Sequence, residues 1–92
     1  MTLIDVINQL GDLNNDDTIY AEKPWTPDSE VVIETEPDDG GVPDQAAKMN
    51  AEYFIEIFLA KEFLEGWLSS LDQKPSLKDQ CSRLIKYAEN DA

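Results

Sequence analysis

The amino-acid sequence predicts an α+β fold in one small domain spanning residues 1–92. Three observations predict it. Apolar residues recur at the helical period near both ends of the chain and through a long central run. Two short runs rich in β-formers, 18–21 and 31–35, lie between the first helix and that run. Proline, glycine and aspartate cluster at the joints, most strongly over 37–43. The expected order is a short N-terminal helix, a two-stranded antiparallel hairpin, a long central helix and a C-terminal helix.

Residues 2–11 form the first helix in this reading. Thr2 caps it, Asp5 suits its electropositive end, and Gly11 stops it. Leu3, Val6, Ile7 and Leu10 share one face. The loop between the strands holds Pro24 and Pro27, which rule out a regular ladder there. Two strands alone are marginal, so the hairpin must pack on helices or gain a strand from a partner. Residues 34–44 are read as a candidate mobile acidic linker.

The central helix is expected over 44–71. Tyr53, Ile57, Ala60, Leu64, Trp67 and Leu71 recur at steps of three and four. Phe54, Phe58 and Leu68 widen the stripe, while Ile55, Leu59 and Phe63 lie off it, which predicts burial on more than one side. Phe54, Ile57, Phe58 and Leu64 are the expected core. Gly66 is the expected point of a bend or a close approach. After Pro75, Ser76 and Asp79 open a last helix to about Ala88. It should turn Leu77, Cys81, Leu84, Ile85 and Ala88 inward, and Lys78, Arg83 and Lys86 outward.

Charge is the strongest functional signal. Residues 1–44 carry twelve Asp and Glu against Lys23 alone, a net −11, and residues 45–92 carry the remaining −2 of the total −13. Like charge at that density works against compaction. It implies either a need for solubility or a positively charged partner. Direct nucleic-acid binding is disfavoured, because no basic footprint exists. A membrane span is disfavoured too, since Glu56, Lys61, Glu62 and Glu65 interrupt the most apolar stretch. Asp5 near the N-terminus and the lack of a basic leader argue against a signal peptide. A single cysteine fits a reducing compartment, so a cytoplasmic protein is expected.

Catalysis and cofactors are not expected. With no His and one Cys, zinc ligation has no ligand set. Asp12, Asn14 and Asp16 open like a calcium loop, but Asp17 stands where Gly is required and Lys23 where the bidentate Glu is required. No glycine-rich phosphate loop is present, and a core filled by one long helix leaves little room for a pocket.

Two features suggest an interaction surface. In an extended strand Glu30, Glu34 and Glu36 fall on one side, with Val32 between them, and Asp38 and Asp39 prolong the row. Alternate strand residues lie roughly 6.7 Å apart, a spacing comparable to that of neighbouring phosphates. The row then suits a basic groove; alternatively it only keeps an edge strand soluble. Trp25, on a loop stiffened by two prolines, is either the apolar anchor of such a contact or a cover for the hairpin.

Residues 18–29 (TIYAEKPWTPDS) and 53–67 (YFIEIFLAKEFLEGW) resemble small acidic bacterial proteins of immunity type, which protect a cell from a secreted toxin. The resemblance implies an inhibitor and carries over no residue roles. The sequence thus points to a non-enzymatic acidic protein that occupies a basic surface of a partner protein. A toxin immunity protein or a phage-type nuclease inhibitor acting as a DNA mimic would both fit. Its surface would comprise Trp25, Glu30, Glu34, Glu36, Asp38 and Asp39. The alternative is an assembly module that forms a homodimer through its hairpin edge or its long helix.

Overall fold

The computed structural model describes residues 1–91 and has mixed α+β architecture. Four helices and three strands follow the order α1 (Leu3–Asn8), β1 (Asp17–Glu22), β2 (Val31–Thr35), α2 (Asp44–Lys48), β3 (Ala51–Glu56), α3 (Ile57–Ser69) and α4 (Leu77–Asp91). A 3-10 turn, Leu10–Asp12, extends α1. The strands form one antiparallel sheet in the order β2-β1-β3. Because β1 lies between its two partners, the chain leaving β2 must cross the sheet to reach β3.

The first helix has the cap its sequence implies. The Thr2 N–H donates to Asp5 Oδ2 (3.0 Å), and the Asp5 N–H donates to Thr2 Oγ1 (3.4 Å). This reciprocal pair satisfies two donors that a bare helix end would leave open. The Asp5 carboxyl is held below the ordinary carboxylate range, first by the Thr2 N–H that it accepts and then by the neighbouring Thr2 hydroxyl.

The expected central helix over 44–71 is not one helix. It divides into α2, β3 and α3, and the sheet has three strands rather than two. Two local causes act together. Asn50 adopts a left-handed conformation (φ 58°), which ends α2 just as asparagine commonly ends helices. Tyr53, Phe54 and Ile55 follow, three residues that favour strands. Pairing with β1 then satisfies the backbone of the segment.

A register shift between Ile19 and Tyr20 makes β3 fit. Ile19 pairs with Ile55 and Tyr20 with Tyr53, so Phe54 is the extra residue of a bulge. Consecutive strand residues normally point to opposite faces. Here Phe54 and Ile55 both enter the same core and are both fully buried.

The sheet separates two cores of unequal size. On one face Ile19, Ala21, Val31, Phe54 and Ile55 pack beneath α1, α3 and α4, which contribute Leu3, Val6, Ile57, Ala60, Leu64, Cys81 and Leu84. On the other face Tyr20, Ala46 and Ala51 pack with Val32 and Met49 under the short α2. Burial raises the Cys81 thiol to about 11, with the charge of Asp28 adding a smaller push, so the thiol is protonated at neutral pH.

Three expectations about side-chain placement need correction. Phe54, Ile57 and Leu64 are buried, but Phe58 is 51% exposed. It stands in the first turn of α3, directly after the change from strand to helix, so the face computed for a continuous helix no longer applies. Leu77 is likewise 37% exposed, and Gln80 takes the inward position, its Nε2 donating to the Pro75 carbonyl (3.0 Å). Gly66 approaches nothing: a Cβ added there meets no atom within 4 Å. The inward placement of Cys81, Leu84, Ile85 and Ala88 is as expected, and Lys78, Arg83 and Lys86 are exposed.

Two stability measurements check this core. Phe54→Ala should cost about 3–5 kcal/mol in urea unfolding, while Phe58→Ala should stay within about 0.5–1 kcal/mol of the parent. Equal losses for the two variants would contradict the burial pattern. Gly66→Ala should stabilise the protein by about 0.5–1 kcal/mol, because alanine restricts the unfolded chain and favours the helix. A lower melting temperature for that variant would mean that the open space beside Gly66 is filled in solution.

Candidate functional site

The face of the sheet that carries α2 also gathers glutamates. Side chains on adjacent strands share a face when their Cα atoms are paired, and Thr18 is paired with Glu34 on β2 and with Glu56 on β3. Glu34, Thr18 and Glu56 therefore form a row across all three strands. Its outer Cα atoms stand roughly 10 Å apart, two strand spacings. Glu36 continues the β2 side of the row two residues on.

Two tyrosines lie within this group of carboxylates. The Tyr53 hydroxyl donates to Glu56 Oε2 (3.3 Å), and its ring meets that of Tyr20 edge to face, with centroids 6.4 Å apart. Tyr53 is 37% exposed. Tyr20 is 1% exposed, and no group among the described residues forms a hydrogen bond with its hydroxyl. Desolvation raises the Tyr20 pKa above its ordinary value, and the charges of Glu36, Glu34 and Glu56 raise it further. Nearby Thr18 offsets part of that rise without reaching the geometry of a hydrogen bond. Tyr53 is raised for the same leading reason, burial, followed by the charge of Glu56 and the hydrogen bond to it, with Glu36 contributing.

These carboxylates have no counter-ion. Among the described residues the ion pairs are Met1 N with Glu30 (3.4 Å) and Lys23 with Glu52 (3.6 Å). Among the described residues no cation comes within 4 Å of Glu34, Glu36 or Glu56. Nor do any three acidic, Cys or His side chains among the described residues converge tightly enough to hold a metal ion.

The predicted surface residues divide between locations. Glu34 and Glu36 belong to the cluster. Asp38 and Asp39 occupy the exposed turn beyond β2, where Asp39 Oδ1 accepts from the Gly41 N–H (2.8 Å) and the Gly40 N–H donates to the Pro37 carbonyl (2.9 Å). Glu30 lies at the opposite end of β2, bridged to Thr2 and facing the N-terminal ammonium. Trp25 is not brought to the row. Its Nε1–H donates to the Ala21 carbonyl (3.2 Å) and its ring stands edge-on to Phe54 at 4.8 Å, on the helix side of the sheet. Its contacts are those of a half-buried side chain packed over the helix side of the sheet.

The sequence reading places none of Glu56, Tyr53 and Tyr20 on the interaction surface. The first two were assigned to a helix, where they cannot meet Thr18. The asparagine at position 50 followed by three β-formers was the signal that could have placed them on a strand.

Elsewhere, an open cleft of about 450 Å³ is lined by Lys23, Pro24, Trp25, Ala88 and Glu89. Lys23 Nζ sits 4.9 Å above the Trp25 ring and pairs with Glu52, so the charge there is already engaged. On the outer helices Phe63 and Tyr87 stack at 4.2 Å, with Arg83 about 6 Å from the rings of Phe63 and Trp67. Among the described residues no helix is long and apolar enough to cross a membrane. Comparison of the chain with protein-family models, curated proteins and solved structures found no match.

The elevated tyrosines give a pH test of the cluster. A phenol whose folded pKa is raised contributes stability that is fully present below the unfolded value, near 10, and is lost as pH rises through the folded value. Difference absorbance between the parent and Tyr53→Phe should place the Tyr53 titration above pH 10 in the folded protein and near 10 in urea. Glu56→Gln should move it back down, because both the charge and its hydrogen bond are then removed or weakened. Identical titration of Tyr53 in the folded and unfolded protein would separate its hydroxyl from Glu56.

Proposed function

We infer that this protein acts by binding rather than by catalysis, occupying a basic surface of a partner protein and thereby blocking it. The observation that carries the reading is the row of Glu34, Glu36 and Glu56, gathered on one sheet face without a cation. Carboxylates left unpaired at close range repel one another, and a positive partner relieves that repulsion. The exposed turn with Asp38 and Asp39 extends the field beyond the sheet. Complementary charge of this kind accelerates encounter and selects partners more than it sets affinity. Affinity then needs apolar contacts. Tyr53 and Phe58, both substantially exposed and flanking Glu56 in the chain, take the anchoring part first assigned to Trp25. A toxin or a nuclease with a basic active-site groove fits such a surface, so immunity or nuclease inhibition by backbone mimicry is the corresponding biological role.

The competing reading, self-assembly through the hairpin edge, meets an electrostatic objection. Two β2 strands paired about a two-fold axis would set members of the Glu30, Glu34 and Glu36 row opposite one another, which is destabilising. The start of that edge is also occupied, since the Val31 N–H donates to the Met1 carbonyl (2.9 Å).

Binding kinetics against the basic protein recovered from a cell lysate at low salt test the proposal. Replacing Glu36, Asp38 and Glu56 together by Lys should slow association roughly 10–10³-fold at low salt. The fold should survive, since all three side chains are exposed. Unchanged association would remove this face from the interface. A salt-indifferent dimer in light scattering would then put the assembly module first.

A further inference from the structure

We propose that the cluster of Glu34, Glu36, Glu56, Tyr53 and Tyr20 is a receptor for a single arginine side chain presented by the partner. This rests on the reading that the sheet face meets a basic protein, and it names the group that is recognised.

Four observations select a guanidinium. The first is charge: three carboxylates share one end of the sheet face and have no cation within 4 Å among the described residues. The second is width. The carboxylates do not converge tightly enough for a metal ion, and their anchoring positions on β2 and β3 are separated by the whole of β1. A compact ammonium behaves as a point charge and reaches one such group at a time. A guanidinium offers five N–H donors in a rigid planar fork and can serve several acceptors together.

The third is the exposed ring of Tyr53, held in place by its bond to Glu56 and by its edge contact with Tyr20. A planar cation stacks on such a ring more favourably than an ammonium does. The fourth is independent of the acidic residues. The Tyr20 hydroxyl is buried, lies where the charges of Glu36, Glu34 and Glu56 act on it, and has no hydrogen-bond partner among the described residues. A buried polar group left in that condition is a cost to the fold. A guanidinium seated among these carboxylates brings N–H donors to the side of the cluster where the phenol oxygen lacks one.

The arrangement is a consequence of the fold. Thr18 and Tyr20 are neighbours on one face of the central strand, so the phenol and the glutamate row lie on the same side. The bulge at Phe54 sets Tyr53 opposite Tyr20 while keeping Glu56 opposite Thr18.

The experiment is an NMR titration of the intact ¹⁵N-labelled protein at low salt with N-acetyl-arginine methylamide, and in parallel with the lysine analogue. The arginine probe should give saturable shifts confined to the amides around Thr18, Tyr20, Glu34, Tyr53 and Glu56, with the lysine probe clearly weaker. Tyr20→Phe removes only the unpartnered hydroxyl. It should keep or raise the melting temperature while weakening the arginine probe by about tenfold, the loss expected for one hydrogen bond to a charged group. Glu56→Gln should weaken it similarly. Equal binding of the two probes, shifts spread evenly over all acidic residues including Asp28 and Glu30, or full binding by Tyr20→Phe would each overturn the proposal. The outcomes are separable from the broader reading. Local arginine binding with no basic protein partner leaves this receptor standing and removes the inhibitor. A basic partner slowed by the charge-reversed variant, combined with failure of the arginine probe, does the reverse.

Discussion

β1 is hydrogen-bonded on both edges, and its alternate residues feed two different cores. Ile19 and Ala21 serve the large helix-covered core, while Thr18 and Tyr20 serve the opposite face. A slip of one residue along this strand would exchange the two sets and place a tyrosine hydroxyl among leucines and isoleucines. Register is therefore fixed by burial on both sides. The rest of the molecule is arranged around that strand: the three larger helices above it, the crossing segment and α2 below it. Lys61 ties α3 back to the chain entering β1, donating to the Leu13 carbonyl and to Asn15 Oδ1, both at 2.7 Å.

The bases of the chain's second half lie mostly on the helix side of the sheet. Arg83, Lys86 and Lys78 lie along α4, in the helix layer. Glu34, Glu36 and Glu56 gather at the other face of the sheet, although acids such as Glu62, Glu65 and Asp79 stand among those bases in the helix layer. A molecule built this way carries a dipole as well as a net charge, and the dipole orients it during approach to a basic surface. Glu34 and Glu56 are set on strands, and Glu36 directly follows one, which holds their spacing more narrowly than a flexible acidic tail could. The tail-like part, the turn with Asp38 and Asp39, adds field without adding geometry.

The capping of α1, the hairpin strands and the inward face of α4 were legible in the sequence because each depends on local pattern: Thr2 with Asp5, the β-branched residues of β2, and Cys81, Leu84 and Ile85 at helical spacing. The third strand was not. Ile57, Ala60 and Leu64 lie on the inward face of α3, and Tyr53 and Phe54 happen to continue their steps of three and four, so a strand and a helix in tandem read as one long helix. The excess of apolar residues off the stripe, Ile55 among them, was the trace of two periods overlapping. The candidate site inherited that error. Its β2 half, Glu34 and Glu36, follows from alternation within one strand and was visible. Its β3 half depends on which strands become neighbours, a property of the whole chain.

The strand order also makes the acidic face depend on the pairing of β3 with β1. Joining β1 to β2 closes a connection of residues 23–30, whereas joining β1 to β3 closes residues 23–50. Loop-closure entropy rises only as the logarithm of length, so the longer closure is dearer by about 1 kcal/mol. Burying Phe54 and Ile55 returns roughly 1.5–3 kcal/mol each, which more than offsets the longer closure. Without that pairing, Glu56 is nowhere near Thr18, and Tyr53 has no Tyr20 to lean against. A nascent or partly unfolded chain carries the same net charge as the finished protein without its pattern. Recognition that depends on the pattern distinguishes the completed fold from every earlier state of the same chain.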